Sequence, residues 1–173
     1  MVSTTARQRR PTRWARMLFE TTSTGPAVDL ALIVVRVALA WIFIYYGASK
    51  LFGAFPGSGG THGIHETAIF MSQGAHLRPG EFFAVLAGVT ELGGGIAMAL
   101  GLCTRLAGLA LFGDMVMAII TVTGAEGFNP STSGTGYQLN VAIAGLALVA
   151  ALIGAGRFSV DALIADRWVH DQV

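Results

Sequence analysis

The chain has 173 residues, of which 53% are hydrophobic and only 12% charged, with a net charge of +1 and a mean hydropathy of +0.62. A soluble domain of this length carries roughly twice that share of charge on its surface, so the composition excludes an ordinary water-soluble globule and fits a surface that meets lipid. A single cysteine, Cys103, excludes an intrachain disulfide and any CxxC redox pair.

Residues 1–26 form a polar, basic tail holding Arg7, Arg9, Arg10, Arg13 and Arg16. Within it, Arg13 to Phe19 reads equally as a short helix on the membrane surface or as unstructured basic chain. Four apolar stretches follow, at about 27–51, 82–102, 106–123 and 137–154. Each has about the 18 to 25 residues that a helix rising 1.5 Å per residue needs to cross a hydrocarbon layer of roughly 30 Å. The second and third are separated only by Cys103, Thr104 and Arg105, which predicts a tight helical hairpin. The long loop after the first stretch is rich in glycine, and Thr61 to Gln73 within it suits a short interfacial helix. The loop from Gly124 to Gly136 has a plain turn composition, with Asn129-Pro130.

The predicted fold is therefore an all-α membrane protein, a bundle of four transmembrane helices over residues 27–156, flanked by the basic tail and a C-terminal tail at 157–173. Basic residues set the orientation. With the N-terminus inside, the five tail arginines, Arg105, Arg157 and Arg167 lie inside, against only Lys50 and Arg78 outside. Both termini are expected in the cytoplasm. The first stretch is too long for a signal peptide and carries Arg36.

Three ionisable residues fall deep in the predicted spans: Arg36, Glu91 and Asp114. Counting rise from the span ends puts them about 13, 16 and 12 Å from the inner side. Lipid makes an isolated charge costly, by roughly 3 kcal/mol or more, so these three are expected to face one another, with Arg36 shared between the two carboxylates. Such a cluster serves either helix register, a proton relay, or a polar site for a quinone or small solute; the pattern does not choose among them. On the first helix Arg36, Ala40, Phe43, Gly47 and Lys50 share one face. Small residues share faces with the acids on the later helices, namely Gly88, Glu91 and Gly95, then Ala107, Ala110, Asp114, Ala118 and Thr121. That spacing suits close packing in lipid.

Trp41, Phe43, Tyr45 and Tyr46 occupy the outer half of the first helix near Lys50. They suit interfacial anchors or, with Lys50, contacts to a quinone. His62, His65, Glu66 and His76 have no matching ligand set, so no metal site is expected. No span contains a histidine for haem. Cys103 beside Arg105 reads best as a small turn residue. Nothing points to nucleic acid; the basic tail suits inner-leaflet lipid.

Three segments resemble the DoxX family of small bacterial and archaeal membrane proteins. They are RVALAWIFIYYGASKL from Arg36 to Leu51, ELGGGIAMALGLCTRL from Glu91 to Leu106, and GAGRFSVDAL from Gly154 to Leu163. The motif positions are Arg36, Gly47, Lys50, Glu91, Thr104, Arg105, Arg157 and Asp161. The resemblance implies a multi-pass protein of a prokaryotic plasma membrane. Name-giving members are subunits of a thiosulfate:quinone oxidoreductase, so it also implies a membrane subunit of an oxidoreductase system, quinone-linked and acting on thiosulfate or thiols with a soluble redox partner. The family offers no agreed catalytic residue. A non-catalytic anchor or assembly factor, and a small transporter or proton path, stand as alternatives; homo-oligomerisation is compatible with each.

Overall fold

The computed structural model describes residues 25–55, 61–129 and 136–170. The expected surface helix at Arg13 to Phe19 lies outside them. Among the described residues every regular element is helical: α1 (Pro26–Phe52), α2 (Ile64–Gln73), α3 (Gly80–Leu100), α4 (Thr104–Thr121), α5 (Gln138–Ile153) and α6 (Val160–His170), with a short 3₁₀ turn at Thr123–Glu126. Each apolar stretch lies on one of these helices. Three of them, α1, α3 and α4, are long and apolar enough to cross a membrane, at 27, 21 and 18 residues. At 16 residues, α5 is shorter. The final helix, α6, occupies a segment read from the sequence only as a tail.

The helix ends follow local chemistry. Pro26 opens α1 at its first turn, where a missing N–H costs nothing. Gly101 closes α3 in the left-handed conformation (φ 64°), which a residue without a Cβ adopts freely. Cys103, also left-handed (φ 46°), then starts α4.

The helices pack as two antiparallel pairs, α1 on α3 and α4 on α5. Small residues set both contacts. A Cβ on Gly47 would lie 2.4 Å from the Leu92 backbone nitrogen, and one on Gly95 would lie 2.8 Å from that of Ile44. In the other pair, a Cβ on Gly108 would lie 2.7 Å from the Ala147 carbonyl oxygen. Where lipid removes most of the hydrophobic drive for association, such close backbone approach is what holds helices together. Leu39, Phe43, Met98, Leu111 and Ala147 join the pairs in one core. Outward, α1 shows Leu30, Val34, Val37 and Trp41 as an exposed stripe, the surface a lipid-facing helix presents.

The short helix α2 packs over the end of α1. Thr67 donates its hydroxyl to the Gly63 carbonyl and lies against Thr61 and the Lys50 carbonyl, while Ser49 donates to the Thr61 carbonyl. Ala68 and Met71 of α2 form a second small core with Ala84 of α3.

Candidate functional site

The expected triad divides into two separate polar centres. Glycine contacts pair Gly47 with Leu92 and Gly95 with Ile44, so Glu91 stands level with Ala48, and Arg36 lies about 18 Å lower along the bundle. Side chains on a helix lean toward its N-terminus. Arg36 therefore leans away from Glu91, and Lys50 leans back toward it.

Arg36 does not meet Glu91 or Asp114, a correction to the expectation of a shared arginine. Its guanidinium binds four carbonyls. Nε donates to Met98 (3.0 Å), Nη2 to Ala99 (3.2 Å), and Nη1 to Ala155 (2.9 Å) and Phe158 (2.8 Å). Met98 and Ala99 belong to the last turn of α3, where carbonyls run short of backbone donors; the Met98 carbonyl also accepts from the Gly101 N–H (3.2 Å). Asp161 serves the other side of the same break: Oδ1 accepts from the Cys103 N–H (2.7 Å) and Oδ2 from the Thr104 N–H (2.9 Å), capping the start of α4. Ser159 caps α6 through the Ala162 N–H, and Asp29 accepts from the Arg157 N–H at 3.1 Å. Arg36, Thr104, Arg157 and Asp161 thus converge on one latch, which ties the α3–α4 turn to the segment after α5. Arg105 reaches the Ile153 carbonyl nearby. Asp29 and Ser159 were not singled out in the sequence; a serine directly before an apolar helix start was the available signal for the second.

The second centre is Lys50, Glu91 and Asp114. Lys50 Nζ pairs with Glu91 Oε1, the side chains being 23% and 4% exposed. The Asp114 carboxyl adjoins that of Glu91. Glu91 Oε2 is buried without a hydrogen-bond partner. All three residues line a cavity of about 760 Å³, a size that suits a small organic ligand. It lies between the two helix pairs, under α2, with a mostly apolar wall that includes Phe43, Tyr46, Phe70 and Phe83. The α4 stripe of Ala110, Asp114, Ala118 and Thr121, expected to pack on a neighbouring helix, lines this cavity instead. The packing face of α4 is Thr104, Ala107, Gly108, Leu111 and Met115.

Of the five residues expected to offer quinone contacts, Phe43, Tyr46 and Lys50 line the cavity. Trp41 does not; it is 77% exposed on the outer stripe. Tyr45 also lies outside the lining, stacked on Phe55 with ring centroids 4.6 Å apart. Glu66 accepts from the His62 N–H at the start of α2, a capping contact.

A family model, DoxX, matches residues 31–124. That is over half of the chain, and it takes in α1 to α4 with both the cavity triad and the α3–α4 turn. The chain belongs to the DoxX family. Together with the three long apolar helices, this makes it a multi-pass membrane protein. The DoxX match stops short of α5 and of the Arg157 and Asp161 half of the latch. No curated protein and no solved structure matches the chain.

Proposed function

We propose that this DoxX-family protein is the membrane subunit of an oxidoreductase system, and that its cavity takes the head group of a quinone. The observation that carries the reading is the cavity itself: apolar walls around one ammonium and two carboxyls, with a buried carboxylate oxygen lacking a partner. Quinones combine an apolar ring with polar oxygens, and when bound supply two-electron, two-proton chemistry. Lys50 would offer a donor to one ring oxygen. Glu91 and Asp114 would hold protons at the head group, and Tyr46, Phe70 and Phe83 would cover the ring. A soluble partner would bring electrons from thiosulfate or a thiol.

In this reading α5 is the fourth span, both termini are cytoplasmic, and the membrane is a prokaryotic plasma membrane. The latch then lies at the cytoplasmic side, where exposed Arg157, Asp166 and Arg167 offer a docking face for the partner. Quinone reduction by thiosulfate or thiol donors is expected to be faster in membranes containing the protein than in membranes lacking it, and to fall with Glu91→Gln. Equal rates would sink the reading.

A non-catalytic anchor is the second reading. It is favoured by the latch, which commits Arg36, Thr104 and Asp161 to holding a turn. Rates indifferent to every cavity substitution, together with recovery of a soluble protein in detergent pull-downs, would favour it.

A further inference from the structure

The carboxyl pair in the cavity is short of hydrogen-bond donors. Glu91 Oε1 takes the Lys50 ammonium. Glu91 Oε2 is buried and takes nothing. Its neighbour Asp114 lies within hydrogen-bond reach of Glu91; ionised, it is another acceptor, and it supplies a donor only when it carries a proton. The lining also includes the hydroxyls of Tyr46, Thr61 and Thr90, and no bond joins any of them to the carboxyl pair; three further polar side chains are committed elsewhere. The Thr121 hydroxyl donates to the Met117 carbonyl (2.8 Å), Thr123 sits between the Ala118 carbonyl and Asn140 Oδ1, and Asn140 Nδ2 points to the Met115 sulfur at 3.7 Å. With both carboxyls ionised, the triad holds one negative charge in excess.

The cavity also reaches the flank of the bundle between α3 and α4. Leu86 and Met117, which line it, are 50% and 45% exposed.

We infer that this cavity selects ligands presenting a hydroxyl donor to Glu91 Oε2, so that the quinol form of a quinone binds in preference to the carbonyl-only oxidised form. The inference rests on the quinone reading of the same cavity. An oxidised ring brings lone pairs to the lone pairs of Oε2, leaving a buried carboxylate oxygen unsatisfied. A hydroxyl makes a charge-assisted bond there, and such bonds are the strong ones in dry surroundings. Lys50 serves either form, because both have an oxygen that can accept, so it does not discriminate.

The test is equilibrium binding to the full-length protein in lipid nanodiscs, corrected against empty nanodiscs, with three probes: decylubiquinol under anaerobic conditions, decylubiquinone, and the dimethyl ether of the quinol. The ether keeps the ring and tail and lacks both O–H donors. The quinol is expected to bind roughly tenfold more tightly than either other probe, the usual scale for one hydrogen bond to a charged group. Glu91→Gln should bring quinol and quinone to within about threefold, since an amide both donates and accepts. If Glu91→Gln does not fold, the wild-type comparison of quinol with ether decides alone. Quinol, quinone and ether binding equally would overturn the donor preference while leaving the quinone reading intact; in that case a shared proton satisfies the carboxyl pair. No binding of any probe would overturn both.

Discussion

Arg36 and Asp161 act on opposite sides of one break in the chain: the guanidinium closes the carbonyl end of α3, and the carboxylate closes the N–H end of α4. Each charge faces the helix-dipole end that attracts it. Both come from elsewhere in the sequence, so the turn at Gly101 to Cys103 is held by α1 and by the start of α6 at once. The charges serve the geometry of a turn.

Asp161→Asn tests the latch with little change of volume. The amide keeps one acceptor but sets an N–H₂ against the Thr104 N–H, or against that of Cys103 if flipped. Stability in detergent should fall by about 2 kcal/mol, the scale of a lost cap contact to a charged group. Arg36→Lys should cost at least as much, because one ammonium cannot reach the four carbonyls that the planar fork serves. Thermal unfolding of the purified variants reads both; unfolding temperatures unchanged from wild type would contradict this role.

Gly47 and Gly95 set the register that brings Lys50 to Glu91. Gly47→Ala places a methyl 2.4 Å from a backbone nitrogen that has no room to retreat. The expected cost is about 1 to 3 kcal/mol, with loss of ligand binding as α1 and α3 part. Gly93→Ala is the control: a Cβ there meets nothing within 4 Å, and alanine suits a helix interior better than glycine by roughly 0.5 to 1 kcal/mol. Gly93→Ala should therefore be neutral or stabilising. A Gly47→Ala variant as stable as wild type, or stabilised like Gly93→Ala, would show that helix propensity, not contact, governs these sites.

The contrast marks what the sequence disclosed and what it withheld. Hydrophobic length alone located α1, α3, α4 and α5, since an apolar run of fixed extent needs no partner to be recognised. Depth counting failed for Arg36 because it measured each helix from its own end, while the true level is set between helices by Gly47 and Gly95. Lys50 stood on the same face as Arg36, so the face was legible; which base met the acids depended on register and on the N-terminal lean of side chains. The α4 stripe of Ala110, Asp114 and Ala118 looked like packing because small residues pack; that a cavity lies beside it depends on residues of α1, α2, α3 and α5 as well, which no single helix records.

Lys50→Met leaves the Glu91 carboxylate buried without its cation, and removing one member of a buried pair costs on the order of 3 kcal/mol. Replacing both members, as Lys50→Met with Glu91→Leu, removes the stranded charge and should recover most of that loss. Unfolding measured for the two single variants and the double closes the cycle. A double variant as unstable as the sum of the singles would mean that the two side chains do not act as a pair. Binding of quinol should be lost in all three even where stability returns.

The membrane topology turns on α5. Its 16 residues rise about 24 Å, less than the roughly 30 Å of a hydrocarbon layer. Yet it runs antiparallel to the whole of α4, from Asn140 beside Thr123 to Ile153 beside Arg105, and the segment after it is fastened to the α3–α4 turn by Arg36 and Asp161. A chain that crosses with α4 is carried back by α5 to the side of the turn. In a Cys103→Ser background, a cysteine at His76 should react with a membrane-impermeant maleimide applied to intact cells. A cysteine at Asp166 should react only after the membrane is opened. Labelling of both from the same side would mean that α5 does not cross, and the assignment of both termini to the cytoplasm would fall with it.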